Sequence, residues 1–158
     1  TTVIAVDRFA QKQRLARTFG ATHFLRPGPR AAKRIQRLTS RDGVDVAVEA
    51  SGKPEMQALT LAALRPGGTA IWIGLPGGKE ALTIPARRVP GNDLIVRGAL
   101  YGGGRPRQHI RALLREAQRG GLPLRRLISR TYPLDCVNEA FEDLKLGRVA
   151  RGLIEFPE

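Results

Sequence analysis

Asp7 is the first residue whose type and place could do chemistry. It closes the apolar run of residues 2–6 (TVIAV), where the chain turns toward an amphipathic stretch. In a dinucleotide-binding sheet, an acid at the carboxyl end of a strand accepts hydrogen bonds from the adenosine ribose hydroxyls. It also repels a 2′-phosphate, which favours NAD over NADP. A strand-terminal Asp serves equally well as a cap for the next helix, so this residue alone leaves both roles open. The glycine loop that should accompany the first role is missing. No G-x-G-x-x-G stands before Asp7, and Gly67-Gly68, Gly77-Gly78 and Gly102-Gly103-Gly104 do not open a strand-to-helix turn of the right form. Cys136 is the only cysteine and there are two histidines, which excludes an internal disulfide and any multi-cysteine metal site.

A second feature is charge. The 158 residues carry 27 basic and 14 acidic side chains, a net charge of +13, and 22 of the basic residues are Arg. Such a balance fits a nucleic-acid binder. The arginines are spread along the chain, however, apart from Arg107, Arg111, Arg115 and Arg119 at steps of four on a predicted helix. That stripe reads as a solvated face opposite Ile110, Leu113, Leu114 and Ala117. Aromatic residues make up only 5% and none interleaves with these arginines, so base stacking has little to work with. Neither nucleic acid nor membrane is an expected partner, because every apolar run is far shorter than the roughly 18 residues of a span. The residues before Asp7 lack the basic start and cleavage site of a signal peptide, and a lone thiol suits the cytoplasm.

The elements that must position these residues alternate. Strands are expected over residues 2–6, 22–25, 44–50 and 69–75, with helices over 10–19, 30–38 and 54–64 between them. In the second half, short strands are expected at 81–85 and 94–100. The Arg-striped helix follows, then a last helix with Val137, Ala140, Phe141 and Leu144 inward, and a closing strand over 150–156. Alternation of this kind gives an α/β fold with a parallel sheet covered by helices on both faces. No repeat or linker divides the chain, which reads as one domain.

Five segments carry a family resemblance: "VIAVDRFAQKQRLARTFGATH", "GVDVAVEASGKPE", "ALRPGGTAIWIGLP", "VRGALYGG" and "LISRTYPLDCVNEAFEDLKLGRVARGLIEF". In order and spacing the chain resembles the nucleotide-binding half of the zinc-containing, medium-chain alcohol dehydrogenases. The resemblance implies a Rossmann-like, doubly wound parallel sheet binding NAD. Asp7 would hold the adenosine ribose, with Lys12 beside it, and Ala50 and Ser51 would line the adenine and ribose channel. Ile73, Gly74 and Leu75 would face the nicotinamide. Main-chain groups of Ala99 and Tyr101 would bond its carboxamide, and Arg151 would bind the pyrophosphate. Were Asp7 lost, the adjacent Arg8 would stand ready to pair with a 2′-phosphate.

The family holds its zinc through Cys and His ligands of an N-terminal domain. With one cysteine and two histidines, this chain is expected to be a partial domain: residues 1–158 would supply the cofactor-binding part, lacking the first strand and its glycine loop. That strand would sit at the centre of the sheet, between the strands ending at Asp7 and at Ala50. The chain alone would be inactive. The parent would move a hydride between an alcohol or aldehyde and NAD with zinc assistance. One alternative is a zinc-independent NADPH quinone or enoyl reductase of the same superfamily, against which Asp7 with Lys12 tilts; the other is a non-catalytic basic module that binds nucleic acid. The resemblance also implies a homodimer or homotetramer, paired through the segment "ALTIPARRVPGNDLIVRGAL" with Thr83 or Ile84 near the axis.

Overall fold

A computed structural model describes residues 1–157. Seven strands, β1 (Ile4–Val6), β2 (His23–Leu25), β3 (Val44–Glu49), β4 (Leu64–Trp72), β5 (Ile95–Gly98), β6 (Ile128–Pro133) and β7 (Arg151–Glu155), carry the fold. Five α-helices alternate with them along the described residues: α1 (Gln13–Thr18), α2 (Ala31–Leu38), α3 (Pro54–Ala63), α4 (Pro106–Gln118) and α5 (Val137–Lys145). Every strand pair is parallel. Parallel neighbours need a crossover, and α1, α3 and α5 supply it for β1–β2, β3–β4 and β6–β7.

The sheet comes in three pieces, ordered β1-β2, β3-β4-β5 and β6-β7. No ladder joins β1 to β3, the place where the resemblance leaves a one-strand gap. The two flanks are nonetheless held on a common layer. Leu25, Ile35 and Ala63 are buried together, with Ile4 and Val6 of β1 and Val44 of β3 packed against them. A second cluster, Leu61, Leu64, Ala70 and Leu94, lies under β3, β4 and β5. Tyr132, Ala140 and Val149 form a third within the β6–α5–β7 unit. Arg88 completes the middle layer by donating to the carbonyls of Leu61 (2.7 Å) and Leu64 (3.4 Å), which terminate α3.

The structure corrects several expectations. β4 begins at Leu64 and ends at Trp72, so Ile73, Gly74 and Leu75 lie in the loop beyond the strand. Residues 81–85 form no strand. Ile84 packs on the second cluster instead of lying along a sheet edge. β6 was not anticipated, since its sequence ISRTYP lacks an apolar run. In α5 the buried residues are Ala140 and Asp143, while Phe141 and Leu144 are exposed. Helix α4 buries nothing, and Ile110, Leu113 and Leu114 face solvent along with the arginines.

Surface area puts a magnitude on these open faces. The chain exposes 11787 Å², whereas a compact monomer of its mass exposes about 7,800 Å². Val46 and Val48 of β3, 53% and 55% exposed, flank the gap in the sheet and contribute to the excess.

Candidate cofactor site

In an open parallel sheet, ligands bind beyond the carboxyl ends of the strands. Nine of the ten expected site residues lie there. Asp7 follows β1, Ala50 and Ser51 follow β3, Ile73 to Leu75 follow β4, and Ala99 and Tyr101 follow β5. Lys12 ends the short 3-10 turn that opens α1.

The N–H of Asp7 extends the β1–β2 ladder by donating to the Leu25 carbonyl at 3.2 Å, which fixes its backbone. Its Oδ1 accepts the N–H of Phe9 at 2.8 Å. Oδ2 stands 3.7 Å from Lys12 Nζ, an ion pair too long for a direct hydrogen bond. Both side chains are part exposed. The carboxylate is therefore oriented by one amide and one cation, with Oδ2 still open to a hydroxyl donor. Arg8 departs from expectation. Its guanidinium lies 4.4 Å over the Phe9 ring and donates to the Lys145 carbonyl at 3.1 Å, so it is committed elsewhere. Lys12 is the cation at hand beside Asp7.

The β3 and β4 ends are joined by a group that sequence reasoning missed. Glu49, 3% exposed, turns its carboxylate back on the next turn of chain. Oε1 accepts the N–H of Ser51 (2.6 Å), the Ser51 hydroxyl (2.5 Å) and the N–H of Gly52 (3.1 Å). The Glu49 carbonyl accepts the N–H of Ile73 at 2.8 Å and of Gly74 at 3.2 Å. One residue thus pins two of the crest loops. Gly74 has to be glycine, because a Cβ there would overlap the backbone of Gly52 and meet Glu49 Oε2 at 2.7 Å. An acid closing the strand run VDVAVE, one residue before Ser51-Gly52, was the available signal. Serine and glycine supply the unpaired amides that such a carboxylate caps.

Ser51 therefore spends its hydroxyl hydrogen on Glu49, and only its lone pairs remain for a ligand. Ala99 donates its N–H to the Trp72 carbonyl at 3.0 Å, which leaves its carbonyl as the group able to face one. Trp72 is held in turn by Nε1 donating to Thr60 Oγ1 at 3.0 Å. Beyond it the crest is bare and apolar: Leu75 is 76% exposed and Tyr101 80% exposed. Tyr101 sits in the left-handed region at φ 48°, followed by Gly102 and Gly103, also at positive φ. Arg151 is the outlier. It starts β7 in the separate β6–α5–β7 unit, is exposed, and makes no ion pair among the described residues.

That unit has a charge knot of its own. Asp143, 4% exposed, accepts the Tyr132 hydroxyl (2.8 Å) and Arg130 (3.0 Å) on Oδ2, and Arg148 (3.0 Å) on Oδ1. The Arg148 hydrogen bond, then that from Tyr132, hold its carboxyl below the usual carboxylate range. Burial, followed by the bond to Asp143, pushes the Tyr132 phenol up. No group of three or more His, Cys, Asp or Glu side chains is arranged to hold a metal among the described residues. No described helix is long and apolar enough to cross a membrane.

Comparison with known proteins agrees with the α/β fold. Residues 1–119 match the family model described as zinc-binding dehydrogenase. An NDMA-dependent alcohol dehydrogenase of Amycolatopsis methanolica is 35% identical over 96% of this chain and 42% of its own length. An S-(hydroxymethyl)glutathione dehydrogenase of Haemophilus influenzae is 30% identical over 98% of this chain and 41% of its own. Among solved structures, benzyl alcohol dehydrogenase from Acinetobacter calcoaceticus superposes with a TM-score of 0.91 at 26% identity, covering 99% of this chain and 43% of that one. The chain belongs to the zinc-binding dehydrogenase family. It spans about two fifths of the length of the curated relatives it matches.

Proposed function

We propose that this chain is the NAD-binding part of a longer, zinc-assisted alcohol dehydrogenase, an oxidoreductase exchanging a hydride between NAD and an alcohol or aldehyde. The carrying observation is the Asp7–Lys12 pair, standing beside a crest of strand ends with one carboxylate oxygen open. In this reading Asp7 accepts the adenosine ribose hydroxyls and Lys12 balances its charge. Ala50 and Ser51 line the channel, and Glu49 holds them rigid. The backbone of Ile73, Gly74 and Leu75 supports the nicotinamide, with the carbonyl of Ala99 and the main chain of Tyr101 toward its carboxamide. Arg151 neutralises pyrophosphate. NAD, once bound, supplies the hydride acceptor. An acid at Asp7 disfavours NADP, and with it the NADPH-reductase alternative.

Zinc does not fit this chain: the described residues offer no ligand set. The metal would belong to the N-terminal domain that the family resemblance implies. A cytoplasmic homodimer or homotetramer completes the proposal. With residues 81–85 off the sheet, the edge available for pairing is β5, exposed at all four residues and bonded only to β4. Sedimentation of the longer protein tests the assembly; a monomer at micromolar concentration contradicts it. The cofactor reading is tested by titrating the 158-residue chain with NADH and NADPH. Saturable binding that favours NADH is expected, with no turnover of any alcohol. Equal or absent binding of both contradicts it.

A further inference from the structure

The loop that carries Asp7 is seated on the turn after α5, far along the sequence. Gly147, just after α5, has φ +72°, and a Cβ on it would overlap the Phe9 ring. Two hydrogen bonds flank this seat: Arg8 donates to the Lys145 carbonyl (3.1 Å), and Gln11 Nε2 to the Gly147 carbonyl (3.2 Å). Phe9 is also the residue whose N–H orients Asp7 Oδ1, and its ring lies 5.2 Å beneath Lys12 Nζ. On the other side, Arg148 donates its N–H to the Asp143 carbonyl at 2.9 Å and its guanidinium to the Asp143 carboxylate. An unbroken line of contacts therefore runs from the Asp143 knot to the Asp7 carboxylate.

We infer that Phe9 and Gly147 are positioning residues. The ring, pressed against a residue that has no side chain, sets the angle at which Asp7 and Lys12 meet a ribose. Through it the β6–α5–β7 unit controls the adenosine end of the site while touching no ligand there. The inference rests on the cofactor reading and deepens it. Gly147 meets both conditions that require glycine, a left-handed backbone and no space for a methyl group. Phe9 contributes its ring to the seat and its amide to the carboxylate, so the two effects cannot be uncoupled in the native loop.

The test titrates the 158-residue chain and its Phe9→Ala, Phe9→Leu and Gly147→Ala variants with ADP-ribose and, separately, nicotinamide mononucleotide. Hydrogen exchange at the Phe9 amide is followed in each. Phe9→Ala and Gly147→Ala should weaken ADP-ribose about tenfold, the scale of one misplaced charge-assisted hydrogen bond. Nicotinamide mononucleotide should be unaffected, Phe9→Leu should recover most of the loss, and the Phe9 amide should exchange faster in both damaged variants. General loosening would weaken both probes alike, and that result overturns the inference. So does unchanged ADP-ribose affinity in a folded Phe9→Ala chain, which leaves the cofactor reading standing. Failure of the unaltered chain to bind ADP-ribose removes the cofactor reading and this inference together. Should Gly147→Ala not fold, Phe9→Ala carries the test alone.

Discussion

Asp7 and Asp143 are both carboxylates beside cations, but they differ in what remains unspent. Asp143 is buried, and Arg130, Arg148 and Tyr132 occupy both of its oxygens. Asp7 has one amide on Oδ1 and a loose ion pair on Oδ2. A carboxylate offers about four lone-pair positions. At Asp143 the protein fills three of them on a buried group, which ties β6, α5 and the turn leading into β7 together. At Asp7 the setting is wetter and acceptor capacity is left over. Spare capacity on an oriented group, more than charge or burial, separates an acid that holds the fold from one available to a ligand.

Asp143→Ala should have the largest effect, since it leaves Arg130, Arg148 and the Tyr132 hydroxyl without their shared acceptor. Amide exchange across β6 and β7 should lose its protection while β3 and β4 keep theirs; retained protection in β7 would contradict the assignment. Next in size is the pH dependence. The Asp143 carboxyl is depressed in the folded chain, so its stabilisation is present above the ordinary value near about 4. It is lost as pH falls through the lower folded value. Tyr132 is raised, so its contribution holds below about 10 and fades as pH rises through the higher folded value. Melting followed from pH 2 to 12 should show both limbs, and Asp143→Asn should flatten the acid one. Asp7→Ser should have the smallest effect on stability, about 1 kcal/mol or less, since it removes one local side-chain-to-backbone bond and a loose, part-exposed ion pair. A larger loss in denaturant melting would make Asp7 a structural residue.

Much of the β1–β5 half was legible in the sequence because its strands are apolar, β-branched runs punctuated by Gly and Pro. Asp7, Lys12 and the crest loops follow from strand ends alone. What escaped was set by packing at a distance. Residues 81–85 look like an edge strand until Ile84 finds the Leu61–Leu94 cluster. Strand β6 has only one buried residue, Tyr132, so no period announces it. Asp143 was unreadable for a similar reason: its three partners come from β6 and from the turn after α5. Amphipathic spacing predicted an inner face for α4, but spacing states only which residues share a face. It does not supply what covers them, and in this chain Ile110, Leu113 and Leu114 are uncovered.

The central claim, that the open oxygen of Asp7 chooses the cofactor, is tested most directly by Asp7→Ser in the longer dehydrogenase. The quantity to measure is the ratio of kcat/KM for NAD to that for NADP. Loss of the ribose acceptor and of the repulsion toward a 2′-phosphate, with Lys12 freed to pair with that phosphate, should move the ratio toward NADP. The expected swing is on the order of 2–4 kcal/mol, as charge-assisted hydrogen bonds behave. A ratio unchanged by Asp7→Ser would contradict the account.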